Sequence, residues 1–148
     1  MNSCKVQIKK MNENAIVPTN GSEKAAGLDL YACIDGVVLV IPAGQTVKIR
    51  TGVAVAIPDG YFGAIFARSG LATKEGLRPA NCVGVVDSDY RGEVIVALHN
   101  DSEDVRFVGN GDRIAQLVLI PYLPVDLYEV DGLDETERGT GGFGSTGK

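Results

Sequence analysis

The run Gly84-Val85-Val86-Asp87-Ser88-Asp89-Tyr90-Arg91-Gly92 ends an apolar approach in two carboxylates at i and i+2. In extended backbone such a pair shares one face, an arrangement suited to a divalent cation. Read otherwise, one carboxylate is a general base and the other a turn acid, or the segment is a turn with neither role. The approach Val83–Val86 bears on the choice, because partial burial would make Asp87 a stronger base. A second candidate is Ala67-Arg68-Ser69-Gly70. N–H groups at a helix start, a hydroxyl and a guanidinium together attract an anion. The plain alternative is a capping serine beside a surface arginine. The third is Arg138-Gly139-Thr140-Gly141-Gly142-Phe143-Gly144-Ser145-Thr146-Gly147-Lys148. Its Gly142 and Gly147-Lys148 approach the spacing of a phosphate loop, but no hydroxyl residue or helix follows the lysine. Glycine-rich backbone with Arg138, Ser145 and Thr146 still supplies donors for phosphate oxygens. Phe143 has no local core to enter, which weighs against a featureless terminus.

Two further segments place polar groups in strand-like surroundings. Ala25-Ala26-Gly27-Leu28-Asp29-Leu30 puts an acid between leucines, and alternation turns Asp29 away from them as an exposed strand carboxylate. Gly111-Asp112-Arg113-Ile114-Ala115-Gln116-Leu117 carries Gln116 among apolar neighbours. His99 is the only histidine, which excludes a histidine-rich zinc site and leaves an ordinary strand-end residue.

Strands must position these groups. Val6 and Ile8 alternate with Lys5, Gln7 and Lys9, and Val47 and Ile49 with Lys48 and Arg50. Val53, Val55 and Ile57, then Val94, Val96 and Leu98, repeat the period of two. Asn20-Gly21, Asp35-Gly36, Asp59-Gly60, Asn110-Gly111 and Asp131-Gly132 mark tight turns between short strands. One short helix is expected over 69–75, with Ser69 as N-cap and Gly76 as stop. The rest reads as an all-β barrel or sandwich. The five glycines from residue 138 onward lose much backbone entropy on ordering, so residues 1–137 are expected as one domain and 138–148 as a mobile tail.

A chain of 148 residues, 45% hydrophobic and 22% charged, is that of a single folded domain rather than a disordered one. With 14 basic and 19 acidic residues the net charge is −5, which argues against a sequence-independent nucleic-acid binder. A small anion remains possible where arginines, backbone N–H groups and a cation neutralise it locally. No apolar run nears the ~20 residues of a membrane helix. The N-terminus shows no signal peptide. Cys4, Cys33 and Cys82 lack CxxC spacing and read as reduced thiols of a cytoplasmic protein. Cys82 is either oxidation-sensitive or, more simply, a packed bystander.

In order and interval these segments resemble the five motifs of the trimeric dUTP diphosphatases (dUTPases). The matches are AAGLDLYA at 25–32, ARSGLA at 67–72, GVVDSDYRG at 84–92, GDRIAQL at 111–117 and RGTGGFGSTG at 138–147. The resemblance implies a jelly-roll-like β-barrel, a homotrimer whose active sites are shared between subunits, and Mg²⁺ held mainly by the triphosphate. The implied reaction takes dUTP and water to dUMP and diphosphate, keeping uracil out of DNA and supplying dUMP. By matching position, Asp87 would activate the attacking water and Tyr90 would exclude a 2′-hydroxyl. Asn81 falls where a hairpin meets the uracil edge. Arg68, Ser69, Gly70 and Gln116 would hold phosphate oxygens, and Asp29 a Mg²⁺-bound water. Arg138 would contact the γ-phosphate, Phe143 would stack on uracil, and Gly144, Ser145 and Thr146 would close the phosphate shell. Ala67, where the family often has proline, and Asn81-Cys82-Val83 are the departures. Rival readings are a dCTP deaminase-like relative, which needs an added acid/base for cytosine, and a dUTP-controlled binding module.

Overall fold

The computed structural model describes residues 4–144. Its strands are β1 (Gln7–Lys10), β2 (Thr19–Asn20), β3 (Leu28–Tyr31), β4 (Val38–Ile41), β5 (Thr46–Arg50), β6 (Val53–Ala56), β7 (Tyr61–Phe66), β8 (Leu77–Pro79), β9 (Gly84–Val86), β10 (Ile95–Asn100), β11 (Arg106–Gly109) and β12 (Arg113–Pro121). They pair as a five-stranded sheet β2-β3-β12-β7-β9, a three-stranded sheet β5-β10-β8, and the pairs β1-β6 and β11-β4. Every pairing is antiparallel. The predicted all-β class is therefore present, in a jelly-roll-like arrangement of short strands.

The period of two explains the core. Val94, Val96 and Leu98 are buried while Ile95 between them is exposed. They join Leu30, Ile41, Ile49, Leu77, Ile114 and Leu117 in one apolar cluster drawn from both larger sheets and the β11-β4 pair. Two segments depart from simple alternation. Strand β6 is buried at Val53, Ala54 and Val55 alike, because small Ala54 lets the other face be covered too. Strand β1 is exposed throughout, and only the preceding Val6 packs against the core. Gly36, Gly60 and Gly111 of the expected turns do take positive φ, at 115°, 80° and 84°.

Helical backbone among the described residues is confined to 69–75. It is a single wide turn, Leu71–Glu75, stopped where Gly76 enters the left-handed region (φ 70°) and its N–H returns to the Leu71 carbonyl. The span and the stop are those expected, but Ser69 is not the cap. Helical backbone already holds at Gly70, and no side chain caps the turn. Ser69 instead lends its carbonyl to the Thr73 hydroxyl at 2.7 Å. Among the described residues no helix is long and apolar enough to cross a membrane.

Asn100 is the polar pin of the fold. It is 0% exposed, and its Nδ2 donates to the carbonyls of Ile41 (3.0 Å) and Asp104 (2.8 Å). Its Oδ1 accepts from the Ser102 N–H and hydroxyl. Beyond β12 the backbone makes no further strand through Gly144, and Leu123, Val125, Leu127 and Tyr128 stand largely in solvent. The Asn100→Ala variant is expected to lose about 2–3 kcal/mol of unfolding free energy, since buried carbonyls lose their donors, with urea denaturation as the check.

Candidate active site

Strand β9 runs alongside β7, pairing Val86 with Gly63 and Gly84 with Ile65. A Cβ at Gly84 would stand 3.0 Å from that of Ile65 and 3.4 Å from Asn81 Nδ2, so glycine keeps this floor flat. Above it opens a pocket of about 260 Å³ whose lining includes Asn81, Gly84, Val86, Asp87, Tyr90 and Glu93. After Val86 the chain does not stay extended. The Tyr90 N–H closes a turn onto the Asp87 carbonyl at 3.2 Å. Of the three readings of this segment, the cation pair of Asp87 and Asp89 thereby loses the extended geometry it needs, and a turn remains. No group of three or more metal-binding side chains forms among the described residues.

Asp87 is itself exposed, so the apolar approach buries Val86 and stops there. The Tyr90 hydroxyl donates to the Glu93 carbonyl at 2.9 Å, and the ring folds over Gly92, where any Cβ would collide with it. Asn81 and Cys82 form the hairpin tip at the pocket rim. Cys82 is exposed with φ 62°, which corrects the expectation of a packed bystander.

A second pocket, about 210 Å³, is lined by Gly21, Ala25, Gly27, Asp29, Arg68, Ser69, Gly70, Arg113 and Gln116. Asp29 is not the exposed carboxylate expected from alternation, being only 9% exposed. Two guanidiniums close over it: Arg68 Nε lies 3.0 Å from Oδ1, and Arg113 Nη1 3.2 Å from Oδ2. Opposite Asp29 in the β3–β12 register stands Gln116, whose Nε2 donates to the Ala67 carbonyl at 2.9 Å. That bond fixes the segment carrying Arg68, Ser69 and Gly70. Arg113 is absent from the residues expected by sequence. Nothing in its spacing marks it; a register shift between Arg113 and Ala115 brings the strand's first residue to the acid.

The two pockets share no lining residue. Arg138 and Phe143 line neither. Arg138 Nε donates to the Gly141 carbonyl at 2.9 Å, within its own segment, and the Phe143 ring is fully exposed. Ser145 and Thr146 lie outside the described residues.

One pocket with a flat floor and two carboxylates, Asp87 and Glu93, and another with two guanidiniums and a hydroxyl, form a pairing suited to an all-β hydrolase of phosphorylated ligands. A dUTPase family model matches residues 13–147. A deoxyuridine 5′-triphosphate nucleotidohydrolase of Desulfitobacterium hafniense is 50% identical, over 99% of each chain. One from Arabidopsis thaliana is 46% identical, over 95% of this chain and 82% of its own. A dUTPase of Staphylococcus bacteriophage 80alpha with dUPNHPP superposes at TM-score 0.85, with 28% identity over 99% of this chain and 100% of its own. The chain belongs to the dUTPase family.

The Gly27→Ala variant tests how the second pocket is held. Its Cβ would fall 2.6 Å from Gln116 Oε1 and 3.3 Å from Gln116 Cβ, pushing the amide off the Ala67 carbonyl. Steady-state kinetics should show KM for dUTP rising about tenfold in a protein that still folds by circular dichroism.

Proposed function

We propose that this chain splits dUTP into dUMP and diphosphate at a site shared among three copies of itself, with Asp87 as the general base. The observation that carries the reading is the separation of the parts. Asn81, Asp87 and Tyr90 line one pocket, Asp29, Arg68, Ser69, Gly70 and Gln116 line another, and Arg138 and Phe143 line neither. Each chain thus holds every group the reaction needs without assembling them. The exposed Leu123, Val125, Leu127 and Tyr128 support association, since so much bare apolar side chain favours a partner surface. A homotrimer fits both facts, with residues 1–137 as its body and 138–148 as tails that close over neighbours.

In the assembled site uracil lies on the Gly84 floor against the Asn81 hairpin. Backbone groups there match the uracil edge, whereas cytosine would leave a buried polar atom unpaired. Tyr90, pinned through its hydroxyl to Glu93, covers the sugar and leaves no space for a 2′-hydroxyl. Arg68, Ser69, Gly70 and Gln116 of a neighbour take the phosphate oxygens. Ser69 is available for this because its hydroxyl caps no helix.

Asp87 removes a proton from a water as that water's oxygen bonds to the α-phosphorus, and the α–β bridging oxygen leaves with diphosphate. Exposure of Asp87 in the single chain suits this, since the water must reach it before the tail closes. Arg138 meets the γ-phosphate, Phe143 stacks on uracil, and Gly144, Ser145 and Thr146 complete the donor shell, excluding other water.

For Mg²⁺ the donor set fits one role. Asp29 is the only carboxylate of the phosphate-side pocket, and both its oxygens already bond arginines. It would hold a metal-bound water, while the triphosphate supplies the direct ligands. When bound, Mg²⁺ neutralises phosphate charge. The net charge of −5 and the free cysteines favour a protein of the cytoplasmic nucleotide pool without affinity for nucleic acid.

Incubation with Mg²⁺ and dUTP, dCTP, dTTP or UTP in turn, followed by assay of monophosphate and diphosphate, should show cleavage of dUTP alone. Consumption of dCTP would return the deaminase-like relative, and binding without cleavage the switch. The Asp87→Asn variant should bind dUTP while turnover drops by about three orders of magnitude or more. Removing residues 138–148 should leave a trimer by light scattering with little activity; a fully active truncation would sink the tail's role.

A further inference from the structure

Strand β8 places Arg78 between two buried residues, Leu77 and Pro79, so its side chain turns to the opposite face. There it meets Asp101, just past the end of β10, in a two-pronged pair: Nε to Oδ2 at 2.6 Å and Nη2 to Oδ1 at 3.0 Å. His99, directly across from Arg78 in the register, braces the same carboxylate with Nε2 3.4 Å from Oδ1. The His99 ring is held in turn by the Thr46 hydroxyl at 2.9 Å. The Arg78 guanidinium keeps the Asp101 carboxyl below the usual aspartate range.

The remaining guanidinium nitrogen is not spent on Asp101. Arg78 Nη1 reaches the Pro79 carbonyl (3.3 Å), the Ala80 carbonyl (3.4 Å) and Cys82 Sγ (3.4 Å). All three belong to the hairpin tip that rims the pocket of Asn81 and Asp87. This tip is under strain. Val83 N–H bonds back to the Asn81 carbonyl at 2.7 Å around Cys82, which holds φ at 62° without being glycine. A γ-turn with a left-handed centre is uncommon and persists only when its surroundings over-determine it. The tip's other backbone groups are also assigned, Ala80 N–H to the Ala97 carbonyl and Cys82 N–H to the Pro79 carbonyl. Asn81 N–H has no partner among the described residues, which leaves it for a ligand.

We infer that Arg78, anchored by Asp101, is a positioning residue that holds the 79–83 hairpin in its strained shape and thereby sets discrimination between uracil and cytosine. The inference rests on the proposal that this hairpin reads the base. Both partners are about a third to a half exposed (34% and 46%), so such a pair adds little to stability. Its effect is on geometry. A neutral or flexible replacement lets Cys82 relax toward negative φ and moves Asn81 N–H away from the base edge.

The test is kcat and KM for dUTP and dCTP, with melting temperature, across wild type, Arg78→Leu, Arg78→Lys, Asp101→Asn, Cys82→Gly and Arg78→Leu/Cys82→Gly. Arg78→Leu and Asp101→Asn should raise KM for dUTP about tenfold and shrink the dUTP:dCTP ratio of kcat/KM by a similar factor, with kcat within about twofold. Arg78→Lys, which keeps the charge but not the fork, should fall between. Adding Cys82→Gly should restore part of the loss, because glycine takes this φ without penalty. Variants that melt earlier yet keep wild-type KM and discrimination would overturn the inference. A wild-type enzyme that fails to separate dUTP from dCTP would remove base reading by the hairpin and the inference with it. A discriminating wild type matched by every variant would remove the clamp alone.

Discussion

The whole pocket lined by Arg68, Arg113 and Gln116 depends on one buried charge. Asp29 sits in a strand at 9% exposure, where an isolated carboxylate would cost several kcal/mol. Arg68 and Arg113 remove that cost by converging on its two oxygens. The requirement is reciprocal, since each guanidinium gains a buried anionic partner. Three separate stretches are tied by it: β3, the segment after β7, and the first residue of β12. Two cations on one anion also leave a local excess of positive charge in a protein whose net charge is −5. A polyanion can approach here although the molecule as a whole repels it.

Strand β7 then decides how far the parts of the site can gather within one chain. Its ladder is shared between β12 on one edge and β9 on the other. The β12 side carries Gln116 and, through the end of β7, Arg68; the β9 side carries Asp87. Gly63 makes the close approach possible, because a Cβ there would stand 2.9 Å from Leu117 Cδ1 and 3.3 Å from Val86 Cβ. Tight packing across β7 fixes both neighbours and keeps their functional ends in different pockets. The proposed site, built from copies of the chain, would answer that constraint without loosening the sheet.

Much of this was legible in the residues. Alternation at Val94, Val96 and Leu98 marked a strand face, and Asp-Gly and Asn-Gly pairs marked positive-φ turns at residues 36, 60 and 111. Ordered motifs marked Arg68, Asp87 and Gln116, and the structure brings Arg68 and Gln116 to one pocket. What alternation could not reveal was what lies across a strand. Asp29 pointed away from its leucines as expected, yet arginines distant in sequence covered it. Arg113 was hidden because only a register shift aims it at the acid. Ser69 looked like a cap because sequence shows residue type and not backbone conformation, and the helix is a single wide turn. Arg78 and Asp101 carried no signal, since neither their spacing nor their types separate a surface pair from a clamp.

In the proposed site the base side and the phosphate side are built on opposite principles, and the difference follows from what each would have to recognise. Uracil and cytosine differ by exchanging an acceptor for a donor at one ring edge. Reading that exchange needs donors that cannot swing to suit either base, and backbone groups in a braced turn meet the need. A strained Cys82 is tolerable there because relaxation would blur the reading. A triphosphate instead presents charge and many equivalent oxygens, so its recognition tolerates adjustable donors. A glycine-rich segment can supply these at the entropy cost of ordering, which falls due only when ligand and neighbour are present. On that proposal, rigidity at the base and adaptability at the phosphates together make closure around the triphosphate depend on the fit of the base.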